Sequence, residues 1–288
     1  MPELPEVQTV VSDLNEKIKG DIIVDFWSDW KKAIKEPSFD KFVRNTQNKK
    51  LLRAWRWGKN LFIDLSGGKT LYIHLKMTGH LLIKSKIKNQ KSKLRSNYFE
   101  DKVNQYIHHI WRLKSGRTIE FSDLRKFAKI VLVDTKKIKD LPEIKKLGID
   151  AMDSEFTLKK FREILTKRKN KKIGLVLMEQ ESIAGIGNIY RSEILFESGI
   201  DPQRPVSSLK ENEIEKIHSQ IKKILKKAIH LRGTSDSDYR DTSGAPGGFQ
   251  NVLKVYNREK ENCKKCGTII KRMQMGQRSV FFCPKCQK

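Results

Sequence analysis

Cys263, Cys266, Cys283 and Cys286 are the only thiols of a 288-residue chain, and they form two C-x2-C pairs with sixteen residues between them. Each pair brings two thiolates to one side of a tight turn, and a β-hairpin over 268–282 carries the second pair back to the first. Tetrahedral zinc takes four such ligands. Two disulfides would use the same thiols, but they belong to secreted chains. The opening residues, Met1-Pro2-Glu3-Leu4-Pro5-Glu6, are acidic and lack the apolar stretch of a signal peptide. The spacing therefore predicts one zinc ion, structural because four cysteines leave no open position for substrate. The expected compartment is the cytoplasm, since no run approaches the ~18 apolar residues of a membrane span.

Sixty Lys and Arg residues face thirty-four Asp and Glu, a formal charge of +26 spread along the chain rather than held in a tail. Neutralising phosphates releases counterions, so this excess favours a nucleic-acid partner. An AT-rich genome also inflates lysine, but it does not explain why acids fail to keep pace. With 38% hydrophobic residues the chain can build real cores, and its length suits two domains.

The hydrophobic period divides the chain. Val7, Val10, Val11, Leu14 and Ile18 recur at helical spacing before Gly20. Short strand-like runs follow over 21–30, 51–57, 60–65, 70–76, 80–84, 105–113, 118–122 and 129–134, with Ser66-Gly67-Gly68 and Lys114-Ser115-Gly116 as turns. Regular strands of this kind predict a sandwich or barrel over 1–134. The Lys-rich interval 85–104 reads as a mobile loop, and 135–152 as a linker. From residue 153 the period becomes helical. Leu158, Phe161, Ile164 and Leu165 mark one helix, and 173–180 a short buried one. Asn188 caps a helix that Gly199 ends, and Ser208 with Glu211 forms a capping box for another. A Gly-, Ser-, Asp- and Pro-rich loop over 233–248 closes the second domain, 153–250, ahead of a zinc ribbon over 251–288. The expected fold class is multidomain α+β.

Two places could carry chemistry. Removal of Met1 would leave Pro2 with a free secondary amine, and α-amino groups titrate near about 7.7–8.0, so part is nucleophilic at neutral pH. Such an amine can attack a sugar C1′ and form an iminium. Glu3 and Glu6 lie beside it and could move protons, although Pro and Glu are also ordinary in a first helical turn. The second place is Ala184-Gly185-Ile186-Gly187-Asn188, a tight turn whose following amides could grip a phosphate. Glycines between packed helices need no ligand, so this turn alone is a weak signal.

Met1-Pro2-Glu3-Leu4-Pro5-Glu6, Ala184-Gly185-Ile186-Gly187-Asn188-Ile189-Tyr190, and Gln277-Arg278 before Phe282-Cys283-Pro284-Lys285-Cys286-Gln287 run in collinear order. Together they resemble formamidopyrimidine-DNA glycosylase, and Leu4 leans that way because the related endonuclease VIII usually has Gly there. The resemblance implies a β-sandwich with a leading helix, then a helix–two-turn–helix domain with a zinc ribbon. It implies a monomer acting on damaged double-stranded DNA of the nucleoid. The activity implied is that of a bifunctional glycosylase and abasic-site lyase for oxidised purines, 8-oxoguanine and formamidopyrimidines. Residue by residue, Pro2 becomes the Schiff-base nucleophile and Glu3 its acid/base partner. Lys59 matches the lysine of β-elimination, and Arg278 the arginine of phosphate binding and δ-elimination. Met77, Arg125 and Phe127 match residues that fill the gap left by an extruded base, a task suited to an apolar wedge and a cation. Asn188 and Lys169 align with contacts to the DNA backbone. Tyr106 falls where His is commoner, and its phenol could still bind phosphate; 234–250 corresponds to the segment that caps the extruded purine.

Some positions depart from the family pattern. Lys76 stands where Gly is usual, Leu124 and Ala128 replace Pro and Gly, and Gly174 replaces a DNA-contacting lysine. These departures bear on lesion preference more than on the basic chemistry. Two rival readings remain: the same chemistry on oxidised pyrimidines, as in endonuclease VIII, and a non-catalytic zinc-ribbon protein that only binds nucleic acid.

Overall fold

The computed structural model describes residues 1–85, 98–236 and 238–288; most of the expected 85–104 loop lies outside these residues. The leading helix, α1 (Leu4–Ile18), buries Val7, Val10, Val11, Leu14 and Ile18 to 5% exposure or less. Each such side chain contributes about 1.5–3 kcal/mol. Against this stripe lie two sheets. β1 (Ile23–Ser28), β7 (Ile107–Leu113), β8 (Arg117–Ser122) and β6 (His80–Ser85) form an antiparallel sheet in that order. β2 (Ile34–Glu36), β9 (Lys129–Asp134), β5 (Lys69–His74), β4 (Asn60–Leu65) and β3 (Leu51–Trp57) form the other, with only β2 and β9 parallel. One core joins α1 to Phe26, Trp111, Ile119 and Phe121 of the first sheet and to Leu61, Ile63, Leu71 and Ile73 of the second.

Every strand expected from the alternation is present. β2 and the helix α2 (Phe39–Thr46) are additions to that expectation: three residues are too few to show a period, and α2 buries only Phe42 and Thr46.

The chain forms two compact units, 1–145 with 231–250, and 146–230 with 251–288. This differs from the expected division in two ways. The 135–152 interval is not a free linker. Thr135 N–H bonds Gly68 O at 2.9 Å and Lys129 pairs with Glu143 at 2.5 Å in the first unit, while Gly148 N–H bonds Gln180 O at 2.9 Å in the second. Residues 231–250 belong with the sandwich because Glu6 and Asp13 of α1 hold them there.

The second unit contains α3 (Leu158–Thr166), α4 (Ile173–Val176), α5 (Asn188–Ser198) and α6 (Glu211–His230), followed by the hairpin β12 (Lys271–Met275) and β13 (Arg278–Phe282). A two-residue parallel pair, β10 (Ile149–Asp150) and β11 (Ile183–Ala184), lies ahead of α5. Gly199 ends α5 in the left-handed conformation, φ +76°, as expected. Two caps differ. Ser208 spends its hydroxyl on Pro205 O at 2.9 Å within a 3-10 turn, so Glu213 caps α6 instead by accepting Lys210 N–H at 2.8 Å. Gly187 is the cap residue of α5, and Asn188 is its first helical residue.

His109 sits on β7 with no exposed surface, among the rings of Phe26, Trp30, Trp111 and Phe121. Neither ring nitrogen has a hydrogen-bond partner among the described residues. Burial first, then the neighbouring His108, lowers its pKa from 6.5 to about 3, against a small opposing pull from Asp29. The folded protein therefore keeps His109 neutral while the unfolded chain protonates it below about 6.5. Stability from this residue is complete above pH 6.5 and is lost as pH falls toward 3, at up to about 1.4 kcal/mol per pH unit. Urea unfolding at pH 7 and pH 5 should show that His109→Phe loses less stability on acidification than the native chain; equal losses would refute the assignment.

Candidate functional site

Pro2 is buried at the start of α1, and Glu3 and Glu6 are 3% and 1% exposed. A capping box joins the two glutamates, with Glu3 N–H donating to Glu6 Oε2 at 2.7 Å. Glu6 Oε1 accepts Thr234 N–H, also at 2.7 Å. Both oxygens of Glu6 thus take backbone amides, so its carboxylate holds structure rather than moving protons. Glu3 adjoins Pro2 in the chain, and its side chain accepts the Glu6 N–H in the same capping box.

Lys59 occupies the β3–β4 turn with Gly58, which has φ +59°. A lysine at a hairpin tip is ordinarily solvated, yet Lys59 is only 8% exposed. Tyr72 OH donates to Asn60 Oδ1 at 2.9 Å, and Asn60 Nδ2 to Trp57 O at 3.0 Å, which fixes the turn. Lys59 acts electrostatically on His74, a residue that no motif singles out. Burial first, then Lys76 and Lys59, lowers the His74 pKa to about 4. Its Nδ1 accepts Lys76 N–H at 3.0 Å, so the neutral ring carries its proton on Nε2 as a donor. The signal lies in His74-Leu75-Lys76-Met77, but burial cannot be read from it.

Met77, Arg125 and Phe127 come together. Arg125 Nη1 lies 3.0 Å from Met77 Sδ, and its guanidinium is 4.5 Å from the centre of the Phe127 ring. Met77 and Phe127 are 43% and 51% exposed, an apolar ridge with a cation at its centre. Buried Asp123 builds this ridge. Its Oδ1 accepts Thr78 OH at 2.5 Å, and its Oδ2 accepts Phe127 and Ala128 N–H at 2.9 Å each. Thr78 Oγ1 in turn accepts Arg125 N–H at 3.1 Å. Lys76 and Lys126 flank the ridge at φ +56° and +55°, a left-handed conformation that costs a non-glycine residue about 1–2 kcal/mol. That conformation is why glycine suits position 76 and why Lys76 is a departure.

Tyr106 is half-buried after a 3-10 turn, and its carbonyl accepts Asp123 N–H at 2.9 Å. In the returning segment, Arg232 pairs with Asp13 at 2.5 Å and with Asp241 at 2.6 Å, and Asn104 Nδ2 donates to Gly244 O at 3.1 Å.

In the second unit, Lys169 is exposed between α3 and α4, and Arg278 is exposed at the start of β13. Gln180 staples the glycine turn by accepting Gly185 N–H at 3.0 Å and donating to Ile186 O at 2.8 Å. Only Gly185, at φ +112°, needs to be glycine for its backbone conformation. Asn188 Oδ1 accepts from Arg191. Gly174 has no room for a lysine: a Cβ there would lie 2.9 Å from Met275 Sδ and 2.9 Å from Pro202 O.

The sulfurs of Cys263, Cys266, Cys283 and Cys286 lie within 4.8 Å of one another, with Cys263–Cys286 at 3.9 Å and Cys266–Cys283 at 3.5 Å. Sulfurs about 2.3 Å from a tetrahedral zinc stand about 3.8 Å apart, so the cluster fits that ion. Buried Glu193 accepts Lys254, Val255 and Tyr256 N–H at 2.9 Å each, anchoring the segment that leads into the cluster.

Asp123→Ala should leave Phe127 and Ala128 N–H without acceptors and destabilise the first unit by about 1–3 kcal/mol. Thermal unfolding and faster amide exchange at these two residues would register it; unchanged exchange would show that the ridge is held otherwise.

No helix among the described residues is long and apolar enough to cross a membrane. Residues 1–130 match the family "Formamidopyrimidine-DNA glycosylase N-terminal domain", 147–239 its H2TH domain, and 260–288 the "Zinc finger found in FPG and IleRS". The chain is 37% identical to the formamidopyrimidine-DNA glycosylase of Pelotomaculum thermopropionicum and 38% identical to that of Carboxydothermus hydrogenoformans, covering 99–100% of each chain. It superposes on the Lactococcus lactis Fpg solved with an abasic site containing DNA, at TM-score 0.86 and 31% identity over 99% of both chains. The wild-type Lactococcus lactis protein with an N7-Benzyl-Fapy-dG containing DNA gives 0.85 and 31% over 100% of both chains. The four-cysteine cluster, the three matched domains and these full-length likenesses agree, and the chain belongs to the formamidopyrimidine-DNA glycosylase family of DNA-repair glycosylases.

Proposed function

We propose that this chain removes oxidised purines, 8-oxoguanine and formamidopyrimidines, from double-stranded DNA and then cleaves the abasic strand, working as a cytoplasmic monomer. The observation that carries the reading is that Pro2 and its chain neighbour Glu3 are both buried at the head of α1, in the unit that also carries the Met77–Arg125–Phe127 ridge. With Met1 removed, the Pro2 nitrogen holds a lone pair. The ridge enters the stack where the damaged base leaves it. The Pro2 nitrogen attacks C1′, the glycosidic bond breaks, and the base departs with a proton. Glu3 then gives a proton to the ring oxygen O4′, the C1′–O4′ bond breaks, and the nitrogen lone pair closes the iminium at C1′. Loss of a C2′ proton expels the 3′ phosphate, and a second elimination expels the 5′ phosphate. Lys59 serves the first elimination, and Arg278 grips phosphate for the second. Tyr106, Lys169 and Asn188 contact the DNA backbone, and 234–250 covers the extruded base. Zinc on Cys263, Cys266, Cys283 and Cys286 supplies no chemistry; it holds the hairpin that presents Arg278.

Borohydride reduction during turnover should trap one covalent adduct on a duplex with 8-oxoguanine opposite cytosine. Pro2→Gly, which keeps an amine, should still trap, and a variant retaining Met1 should not. Absence of any adduct with Met1-processed protein would leave a binding module, and preference for thymine glycol would move the substrate class to pyrimidines. Chelation should release one zinc per chain and abolish DNA binding while the sandwich stays folded; binding that survives chelation would remove the role given to the metal.

A further inference from the structure

Arg191 lies on α5 with 0% of its surface exposed. Its Nη2 donates to Asn188 Oδ1 and, at 3.2 Å, to Ser279 O; its Nη1 donates to Gly174 O at 3.2 Å. A guanidinium offers donors only, so Asn188 must turn its oxygen toward Arg191 whichever way its amide would otherwise rest. The NH2 end of Asn188 is then left for another acceptor. A phosphate oxygen only accepts, and this is the end it requires. Ser279 follows Arg278 in β13, so the same buried cation also holds the strand that carries the exposed arginine. The hairpin docks closely here: Met275 packs on Gly174, and Leu175 Cδ2 lies 3.7 Å from the Cβ position of Gly276. Burying a charge is expensive, and an apolar side chain of similar volume often serves packing as well or better. Packing alone does not account for a guanidinium at this place.

We infer that Arg191 is a positioning residue for DNA phosphates, which orients the Asn188 amide and ties it to the Arg278 strand so that the two act as one clamp. This rests on the DNA-binding function proposed above. The test is equilibrium binding of the zinc-loaded full chain to a duplex bearing an uncleavable tetrahydrofuran abasic analogue. Arg191→Met should keep its zinc and stay folded at the assay temperature, though it unfolds earlier for stranding the Gly174 and Ser279 carbonyls, yet bind about 10- to 100-fold more weakly, the effect of losing a charge-assisted hydrogen bond. Asn188→Asp keeps the oxygen that Arg191 needs but lacks the donors, and should weaken binding comparably. Adding Asn188→Ala to Arg191→Met should cost under about 2-fold more, because the amide has already lost its orientation. Native affinity in Arg191→Met, or additive losses in the double variant, would overturn the inference. Should Arg191→Met fail to fold, the cycle of Asn188→Ala and Arg278→Ala in the native background decides: non-additive losses support one clamp, and additive losses refute it. A native chain that does not prefer the abasic duplex over undamaged DNA would instead refute the proposed function.

Discussion

One carboxylate lies between the first turn of the chain and a segment more than two hundred residues later. Glu6 accepts the amide of Glu3 with one oxygen and that of Thr234 with the other. The approach is so close that a Cβ on Gly233, already at φ +84°, would sit 2.7 Å from Glu6 Oε1. Two turns along α1, Asp13 repeats the arrangement with Arg232 and Thr242. Burial alone would raise the Asp13 pKa, but the Arg232 and Thr242 hydrogen bonds together with the charges of Lys17 and Arg232 hold the carboxyl below its usual range. The helix is therefore clasped on two sides, apolar against the sheets and ionic against 231–250. The turn that bears Pro2 is fixed by both.

This double clasp marks where sequence reading succeeds and where it stops. The apolar stripe of α1 announces itself by period, and the strands β3 to β9 by short apolar runs between turns, β4 being buried at all six residues. The four cysteines announce themselves by spacing. The polar clasp has no period: nothing about Glu6 or Asp13 distinguishes a buried acceptor from an ordinary acid on an exposed helix face. By period and composition alone, segment 231–250 therefore falls with the helices that precede it. Lys59 is a similar case, because a Gly-Lys turn looks solvated until Trp57, Asn60 and Tyr72 close around it. The ridge residues can be named from resemblance, but their support cannot, since Asp123 acts through backbone amides that any sequence possesses. The caps of α5 and α6 sit a residue or more from their expected places because the Arg191 guanidinium claims the Asn188 oxygen and the Pro205 carbonyl claims the Ser208 hydroxyl.

The second unit is organised by what it lacks as much as by what it contains. Glu193 gathers three successive amides ahead of the cysteine cluster, and Gln287 bridges Cys283 N–H and Ile200 O, so the ribbon is fastened at one end to α5 and at the other to the residues just after it. Gly174 is a further point of contact, and there the fastening is an empty space filled by Met275 and the Pro202 carbonyl. Drift at this position is consequently blocked one substitution at a time. A lineage or a designer wishing to install a longer residue at 174 has to shorten 275 or displace the turn at 202 in the same step, so these positions should vary in concert or not at all.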